Sequence, residues 1–105
     1  QRLIMIKAWI KTNPTLIKVE GHAGYDRSGK DIVCASVSTA VILSANLIKR
    51  LGENEKVLLH VEEGYFLVEV KENSSTITAI LDNLIWTLEE LEIQYPKYIK
   101  IKKEG

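Results

Sequence analysis

The sequence predicts an α+β fold in which two helices pack on one mixed, mostly antiparallel β-sheet, with the element order ββαββαβ. Short segments that alternate apolar and polar residues have the two-residue period of half-buried strands. Two longer segments carry apolar residues at helical spacing, and each follows a pair of strand-like segments. With 105 residues the chain can enclose one hydrophobic core, so we expect residues 1–105 to form a single domain.

Residues 3–11 and 16–22 are the first two predicted strands, because both alternate apolar and polar side chains. Asn13 and Pro14 lie between them and are typical of a turn. His22 is the last residue of the second segment and falls on its more polar face. It is therefore expected at the edge of the sheet, where a site could open.

Residues 31–51 predict a long helix. Asp31 is well suited to the N-cap, and Lys49 and Arg50 in the last turn precede Gly52, which is typical of a helix end. Apolar residues occur nearly all round this helix, so it must be covered on more than one side. Because so short a chain offers little cover, we expect a homodimer contact along part of it.

Residues 57–62 and 65–71 predict a β-hairpin whose turn contains Glu63 and Gly64. His60 shares the more polar face of the first strand with Glu62 and is expected at the surface. A histidine in the middle of a strand has no loop on which to move, which argues against a catalytic role for it.

A second helix is predicted from a cap at residues 73–75 to Pro96, with an apolar stripe for packing on the sheet. Three glutamates of this helix, Glu89, Glu90 and Glu92, are interpreted as a solvated face. Trp86 lies off the stripe and either packs at the margin of the core or forms part of an exposed contact patch. Residues 98–102 alternate as a last strand, and lysines suit its position at an exposed edge.

Composition narrows the class of protein. The 14 basic and 14 acidic residues balance, which argues against tight nonspecific binding to nucleic acid or to anionic membrane. One cysteine cannot form an internal disulfide, which fits a reducing compartment. No signal segment is evident, and the uninterrupted apolar runs are too short to span a bilayer. We therefore expect a cytoplasmic protein without a membrane partner and without direct nucleic-acid binding.

The segment from residue 21 to residue 38 carries the residues that point most directly to chemistry. Counted from a cap at Asp31, Cys34 is the third helical residue, where backbone N–H groups and the helix dipole favour a thiolate. A histidine such as His22, folded back onto that cysteine, would supply the base that a cysteine nucleophile needs. The alternative is that Cys34 is an inert core residue and that His22 has no chemical role. The loop between them is punctuated by Gly21, Gly24 and Gly29.

The same segment reads Gly21-His22-Ala23-Gly24-Tyr25 and then Gly29-x-Asp31-Ile32-Val33-Cys34-Ala35-x-Val37-Ser38. It resembles the signature of the ribosomal-processing cysteine protease family, called Prp. The agreement runs through both parts in order and spacing, and chain length and element order also fit. Ser36 departs from the family pattern, in which alanine is expected, but it lies off the Cys34–Ser38 line of the helix. The resemblance implies a catalytic pair of Cys34 and His22.

Supporting roles fall to residues around this pair. Asp31 could cap the helix or orient His22, and the cap is favoured because its spacing is visible in the sequence. Ser38 lies one turn after Cys34 and could hydrogen-bond the site or back-bond to the carbonyl of residue 34. Tyr25 is the aromatic residue of the loop and could meet an apolar substrate side chain. Gly21, Gly24 and Gly29 would let that loop order over a substrate.

The resemblance also implies a substrate. Members of the family remove a short N-terminal extension, rich in apolar and aromatic residues, from ribosomal protein twenty-seven of the large subunit. The implied reaction is peptide hydrolysis through an acyl-enzyme, which requires no cofactor.

An RNA-binding loop and a metal site are the two other classes of site to compare with this sequence. Residues 21–24 match the G-x-x-G pattern of RNA-clamping loops, so a noncatalytic RNA- or ribosome-binding module is the alternative function. Arg27 and Lys30 are the only cations near that loop in the sequence, and this low positive charge argues against RNA binding there. A metal site is not expected, because His22, His60 and Cys34 show no ligand spacing.

Overall fold

A computed structural model describes residues 5–21 and 29–104, without the side chains of residues 29–31. In this part of the chain five strands and two helices follow the predicted order. The elements are β1 (Ile6–Lys11), β2 (Leu16–Glu20), α1 (Gly29–Arg50), β3 (Val57–Glu62), β4 (Tyr65–Val70), α2 (Ser75–Gln94) and β5 (Ile99–Glu104). A short 3-10 helix, Asn54–Lys56, precedes β3.

The strands form one five-stranded sheet in the order β3-β4-β2-β1-β5. Strand β2 lies between β1 and β4 and is antiparallel to both, and β3 is antiparallel to β4. Strand β5 is parallel to β1, because helix α2 carries the chain back before β5 begins. The predicted α+β fold with a mixed, mostly antiparallel sheet is confirmed.

The hydrophobic core lies between one face of the sheet and the two helices, which also pack against each other. Every second side chain of a strand points into this core, because successive side chains of a strand lie on opposite faces of the sheet. Full burial of one such aliphatic or aromatic side chain contributes about 1.5–3 kcal/mol. The largest fully buried side chains are Phe66, Ile17, Ile48, Ile77, Leu81, Leu84, Leu88, Ile99, Val33 and Val68.

Helix α1 begins at Gly29, two residues before the predicted start. Asp31 is therefore the third residue of the helix, and its prediction as the N-cap is wrong. Gly29, predicted as part of the loop, is instead the first helical residue. Glycine is tolerated there because the first N–H groups of a helix need no partner inside it. Cys34 becomes the sixth helical residue.

The outward face of α1 is apolar and exposed, as expected for a helix that is apolar nearly all round. Residues 32–50 are long and apolar enough to cross a bilayer. This differs from the expectation based on the length of the uninterrupted apolar runs. Only 33% of this segment is buried, and the buried part is the face of α1 that packs in the core. The exposed large apolar residues of the helix are Ile32, Ile42, Leu43 and Leu47, followed by Leu51.

Side chains hold both ends of α2 to the rest of the domain. Ser74 caps the helix as predicted, because its Oγ accepts the Ile77 amide over 3.1 Å. The same hydroxyl donates to the Glu53 carboxylate over 2.5 Å. Near the other end, Glu92 accepts the backbone N–H of Ile101 over 2.9 Å. Glu92 is thus not merely part of a solvated face, since it binds α2 to the edge strand β5.

Candidate active site

Cys34 lies in the second turn of α1, at the border between the core and the exposed surface of the helix. The preceding residue, Val33, is fully buried, whereas Ile32 is 59% exposed. Cys34 is partly buried and packs against the core. Helical Cα–Cβ bonds tilt towards the N-terminus, so the thiol points towards the first turn. Dipole support for a thiolate is weaker here than at the predicted third position, because it fades beyond the first turn.

Ser38 continues the line of Cys34 by one helical turn and is exposed. Two other serines of α1 back-bond to the preceding turn: Ser36 donates to the Ile32 carbonyl over 2.9 Å, and Ser44 donates to the Ala40 carbonyl over 2.8 Å. Both predicted roles for Ser38 stay predictions.

A cleft of about 400 Å³ opens beside this line of α1. Its walls are α1, the hairpin formed by β3 and β4, and the end of β2. Most of the lining is apolar, with the carboxylates of the hairpin turn at one rim. The lining residues are Val37, Ser38, Val41 and Ile42 of α1, Val61 to Phe66 of the hairpin, and Val19 and Gly21.

Gly21 joins β2 to the glycine-rich loop and lies in this cleft wall. Its amide donates to the Gly64 carbonyl in the hairpin turn over 3.1 Å. Its φ of +125° is a conformation that L side chains rarely adopt. A Cβ at this position would lie 2.8 Å from the Met5 carbonyl oxygen and 2.9 Å from the Ile6 Cα. The position therefore requires glycine on grounds of both backbone conformation and space.

Three predicted site residues, His22, Gly24 and Tyr25, lie outside the described residues, so the pairing of His22 with Cys34 stays a prediction. His60 is exposed on β3, as predicted, where it contacts Glu62 and lies in a T-shaped arrangement with the Tyr65 ring, the two ring centroids being 5.6 Å apart. Among the residues described, no group of three or more His, Cys, Asp or Glu side chains could hold a metal ion.

The sequence patterns did not indicate that residues of the hairpin line a site. Glu63 and Gly64 were recognised only as a turn, since turn chemistry says nothing about which helix the turn will face. Phe66 and Val61 were recognised only as members of an alternating strand. The one local feature that could have indicated their role is Gly64 in the turn. Because glycine has no side chain, its backbone can approach Gly21 closely.

Comparison with known proteins identifies the family. The family model of the cysteine protease Prp matches residues 5–100, which include β1, Cys34, the cleft and the start of β5. The chain belongs to this family. It is accordingly a cysteine protease, a hydrolase, and the resemblance seen in the residue 21–38 segment is confirmed.

Curated relatives and a solved structure agree with this membership. The ribosomal processing cysteine protease Prp of Staphylococcus aureus is 27% identical over 89 residues, which cover 83% of this chain and 84% of the relative. The Prp of Bacillus subtilis is 27% identical over 90 residues and is covered to 80%, as is this chain. A crystal structure of Prp from S. aureus with a covalently linked product peptide superposes with a TM-score of 0.81 at 27% identity, covering 95% of this chain and all of that one.

Proposed function

We propose that this Prp-family chain is an endopeptidase that uses Cys34 as nucleophile and His22 as general base. Its proposed substrate is the N-terminal extension of ribosomal protein twenty-seven of the large subunit. The observation that carries the assignment of the nucleophile is that Cys34 is the single cysteine of a chain belonging to a cysteine protease family. A thiolate is the attacking group in such enzymes, so no other residue can take this role.

The walls of the cleft support the pairing. His22 follows Gly21 directly in the chain, and Gly21 lines the cleft. Cys34 precedes Ser38 by one helical turn, and Ser38 lines the same cleft from α1. The chain neighbour of His22 and the residue one helical turn after Cys34 thus line one cleft from two different walls. The Gly21–Gly64 hydrogen bond holds the wall from which the His22 segment departs.

The chemistry proceeds in two halves. His22 takes the proton of the Cys34 thiol, and the thiolate attacks the scissile carbonyl carbon. Backbone N–H groups in the first turn of α1, which have no partner within the helix, donate hydrogen bonds to the carbonyl oxygen as negative charge develops on it. The C–N bond breaks as His22 returns the proton to the leaving amine. Water, with its proton taken by His22, then hydrolyses the thioester and restores the thiol.

Asp31 and Ser38 support this centre. We assign Asp31 the orienting of His22, the third-member role in such sites, and its place in the first turn of α1 supports this assignment. Ser38 lines the cleft, which supports a hydrogen bond between its hydroxyl and the substrate backbone or the thiol. Gly24 would let the loop order over the bound peptide, and Tyr25 would meet an apolar side chain of that peptide.

Two features support an extension rich in apolar and aromatic residues as substrate. The cleft is lined mainly by apolar side chains, including Val41, Ile42 and Phe66, which suit an apolar substrate side chain. The curated relatives are named as ribosomal processing proteases, and the S. aureus enzyme was crystallised with a covalently linked product peptide. A covalent link is what an acyl-enzyme route would leave.

We propose further that the protein is a cytoplasmic homodimer. Its outward α1 face exposes several large apolar residues, of which Leu43 is 59% exposed and Ile42 is 47% exposed. A second copy would cover such a face, since large exposed apolar patches mark interaction sites. A reducing compartment keeps the Cys34 thiol available for attack.

The test is cleavage of a peptide that spans the extension and the junction of ribosomal protein twenty-seven, followed by mass spectrometry. We expect one cut at the junction, lost in Cys34→Ala and in His22→Ala. His60→Ala is the matched control, because it removes the other histidine of the chain from an exposed strand position. Cleavage that survives Cys34→Ala, or that is lost equally in His60→Ala, would overturn the assignment.

A further inference from the structure

Among residues 5–21 and 29–104, no element covers the face of the sheet opposite the helices, and strand register places its side chains in rows. Lys18 of β2 lies opposite Trp9 of β1, and Trp9 lies opposite Lys102 of β5. In the neighbouring row, Lys7 of β1 lies opposite Lys100 of β5. Neighbouring strands are about 4.8 Å apart, so these side chains form one patch. We call this patch the basic sheet face; it consists of Lys7, Trp9, Lys11, Lys18, Lys100 and Lys102.

The basic sheet face has five lysines, of which Lys7 and Lys11 lie opposite a carboxylate in the strand register, whereas Lys18, Lys100 and Lys102 do not. In the described part of the chain, ion pairs of lysine with a carboxylate involve Lys56 and Lys103, and neither belongs to this face. Glu20 and Glu104 lie at its margins, opposite Lys7 and Lys11. The other acidic residues of the outer face lie on β3 and β4, away from β1 and β5. Although the net charge of the chain is zero, lysines are therefore concentrated on one part of the surface.

An aromatic ring lies among these cations. Trp9 is partly exposed, and the Lys18 ammonium lies over its ring at 4.5 Å from the centroid. A hollow of about 320 Å³ opens on the same part of the sheet, between β1 and β5. Met5, Lys7, Trp9, Lys100 and Lys102 contribute to its lining. The face thus offers a concave surface in which a planar apolar group and several ammonium groups are within reach of one ligand.

We propose that the basic sheet face binds a single-stranded segment of RNA. The lysines would contact phosphates, and a base would stack on Trp9 once the flexible Lys18 side chain moves from the ring to a phosphate. An exposed sheet with an aromatic residue among cations suits this mode, since stacking tolerates any base. An acidic protein surface would use the lysines but would have no need for the ring. The proposal revises the expectation, drawn from net charge, that nucleic acid is not bound directly.

This surface is separate from the proposed catalytic centre. Cys34 and the cleft lie on the side of the sheet that the helices cover, whereas the basic sheet face lies on the opposite side. RNA binding can therefore be lost while peptide hydrolysis is kept, and the reverse. The two proposals fail independently.

The experiment is fluorescence anisotropy of the full chain with a labelled, unstructured RNA of mixed sequence, titrated at several salt concentrations. For about three phosphate contacts we expect log K to fall against log salt with a slope of about −2. The triple variant Lys7→Gln, Lys100→Gln, Lys102→Gln should bind more than about tenfold more weakly at low salt and with a smaller slope. Lys49→Gln, Arg50→Gln, Lys71→Gln is the control, because it removes equal charge elsewhere on the exposed surface.

Trp9→Leu tests the stacking contact and should weaken RNA binding by roughly tenfold, with little change in slope. Circular dichroism melting and peptide cleavage, measured on every variant, show that the fold and the catalytic centre persist. Equal weakening in both triple variants would overturn the proposal, since net charge alone would then explain binding. So would competition by poly-glutamate equal to that by RNA, with Trp9→Leu unchanged, which would indicate an acidic protein as the partner.

Discussion

The amide of Gly21 donates a 3.1 Å hydrogen bond to the carbonyl of Gly64, which joins the end of β2 to the turn of the β3–β4 hairpin. These two glycines are 43 residues apart in the chain, yet both line the cleft beside α1. The contact places the departure point of the His22 segment against the hairpin wall. It links the residue that precedes His22 in the chain to the proposed substrate-binding surface.

Gly21→Ala should therefore damage both stability and activity. Its φ of +125° costs a side chain about 1–3 kcal/mol, and its Cβ would also overlap the Met5 carbonyl oxygen at 2.8 Å. Urea denaturation and peptide cleavage measure the two effects. Gly52→Ala is the control, because its φ is +74° but no atom lies within 4 Å of the added Cβ. Equal urea midpoints and full cleavage for both variants would contradict this account.

Filling the cleft should block the substrate while leaving the fold intact. Ser38→Phe projects a large ring from the exposed wall of α1 into the cleft, and we expect kcat/KM for peptide cleavage to fall more than about tenfold. Thr39→Phe adds the same ring at the next exposed position, which does not line the cleft. Steady-state kinetics compare the two. An equal fall in both variants would show that the cleft is not where the peptide binds.

Glu53 makes stability depend on pH. The hydrogen bond from Ser74, followed by that from Lys56, lowers the pKa of the Glu53 carboxyl from its ordinary value of 4.5. A lowered folded-state pKa adds stability above the unfolded value, and this stability is lost as pH falls through the folded pKa. Thermal melts of the wild type and Glu53→Gln should therefore differ most at neutral pH and converge in acid.

Glu55→Gln is the matched control for that series, because it removes an exposed carboxylate two residues away, in the 3-10 helix that Glu53 precedes. Its melting temperature should follow that of the wild type across the pH range. A difference between the wild type and Glu53→Gln that stays constant down to about pH 3 would show that the carboxylate charge is not responsible.

The proposed dimer should depend on the outward face of α1. Leu43→Glu combined with Leu47→Glu places two charges on residues that are 59% and 40% exposed, so the folded protomer should tolerate them. Burial of two charges against a partner would be costly, and we expect light scattering after size exclusion to give a monomer. Ile93→Glu changes an exposed apolar residue of α2 and should leave the dimer intact. A monomeric wild type at micromolar concentration would refute the dimer.

Local patterns were sufficient for much of the fold. Alternation identified the strands, and the Ser74 cap and the Glu63-Gly64 turn were read correctly, because each depends on contacts within a few residues. The start of α1 was missed by two residues: a good cap residue at position 31 does not prevent the preceding Gly29 and Lys30 from adopting helical conformations.

By itself the sequence determined the order of elements, the single cysteine and the family signature around it. Tertiary structure alone decided that Gly21 meets Gly64, that the hairpin forms the wall opposite Ser38, and that the lysines of β1, β2 and β5 share one face. The physical reason is range. Propensity and periodicity act between near neighbours, whereas the strand order β3-β4-β2-β1-β5 brings together residues more than 90 positions apart, such as Lys7 and Lys100.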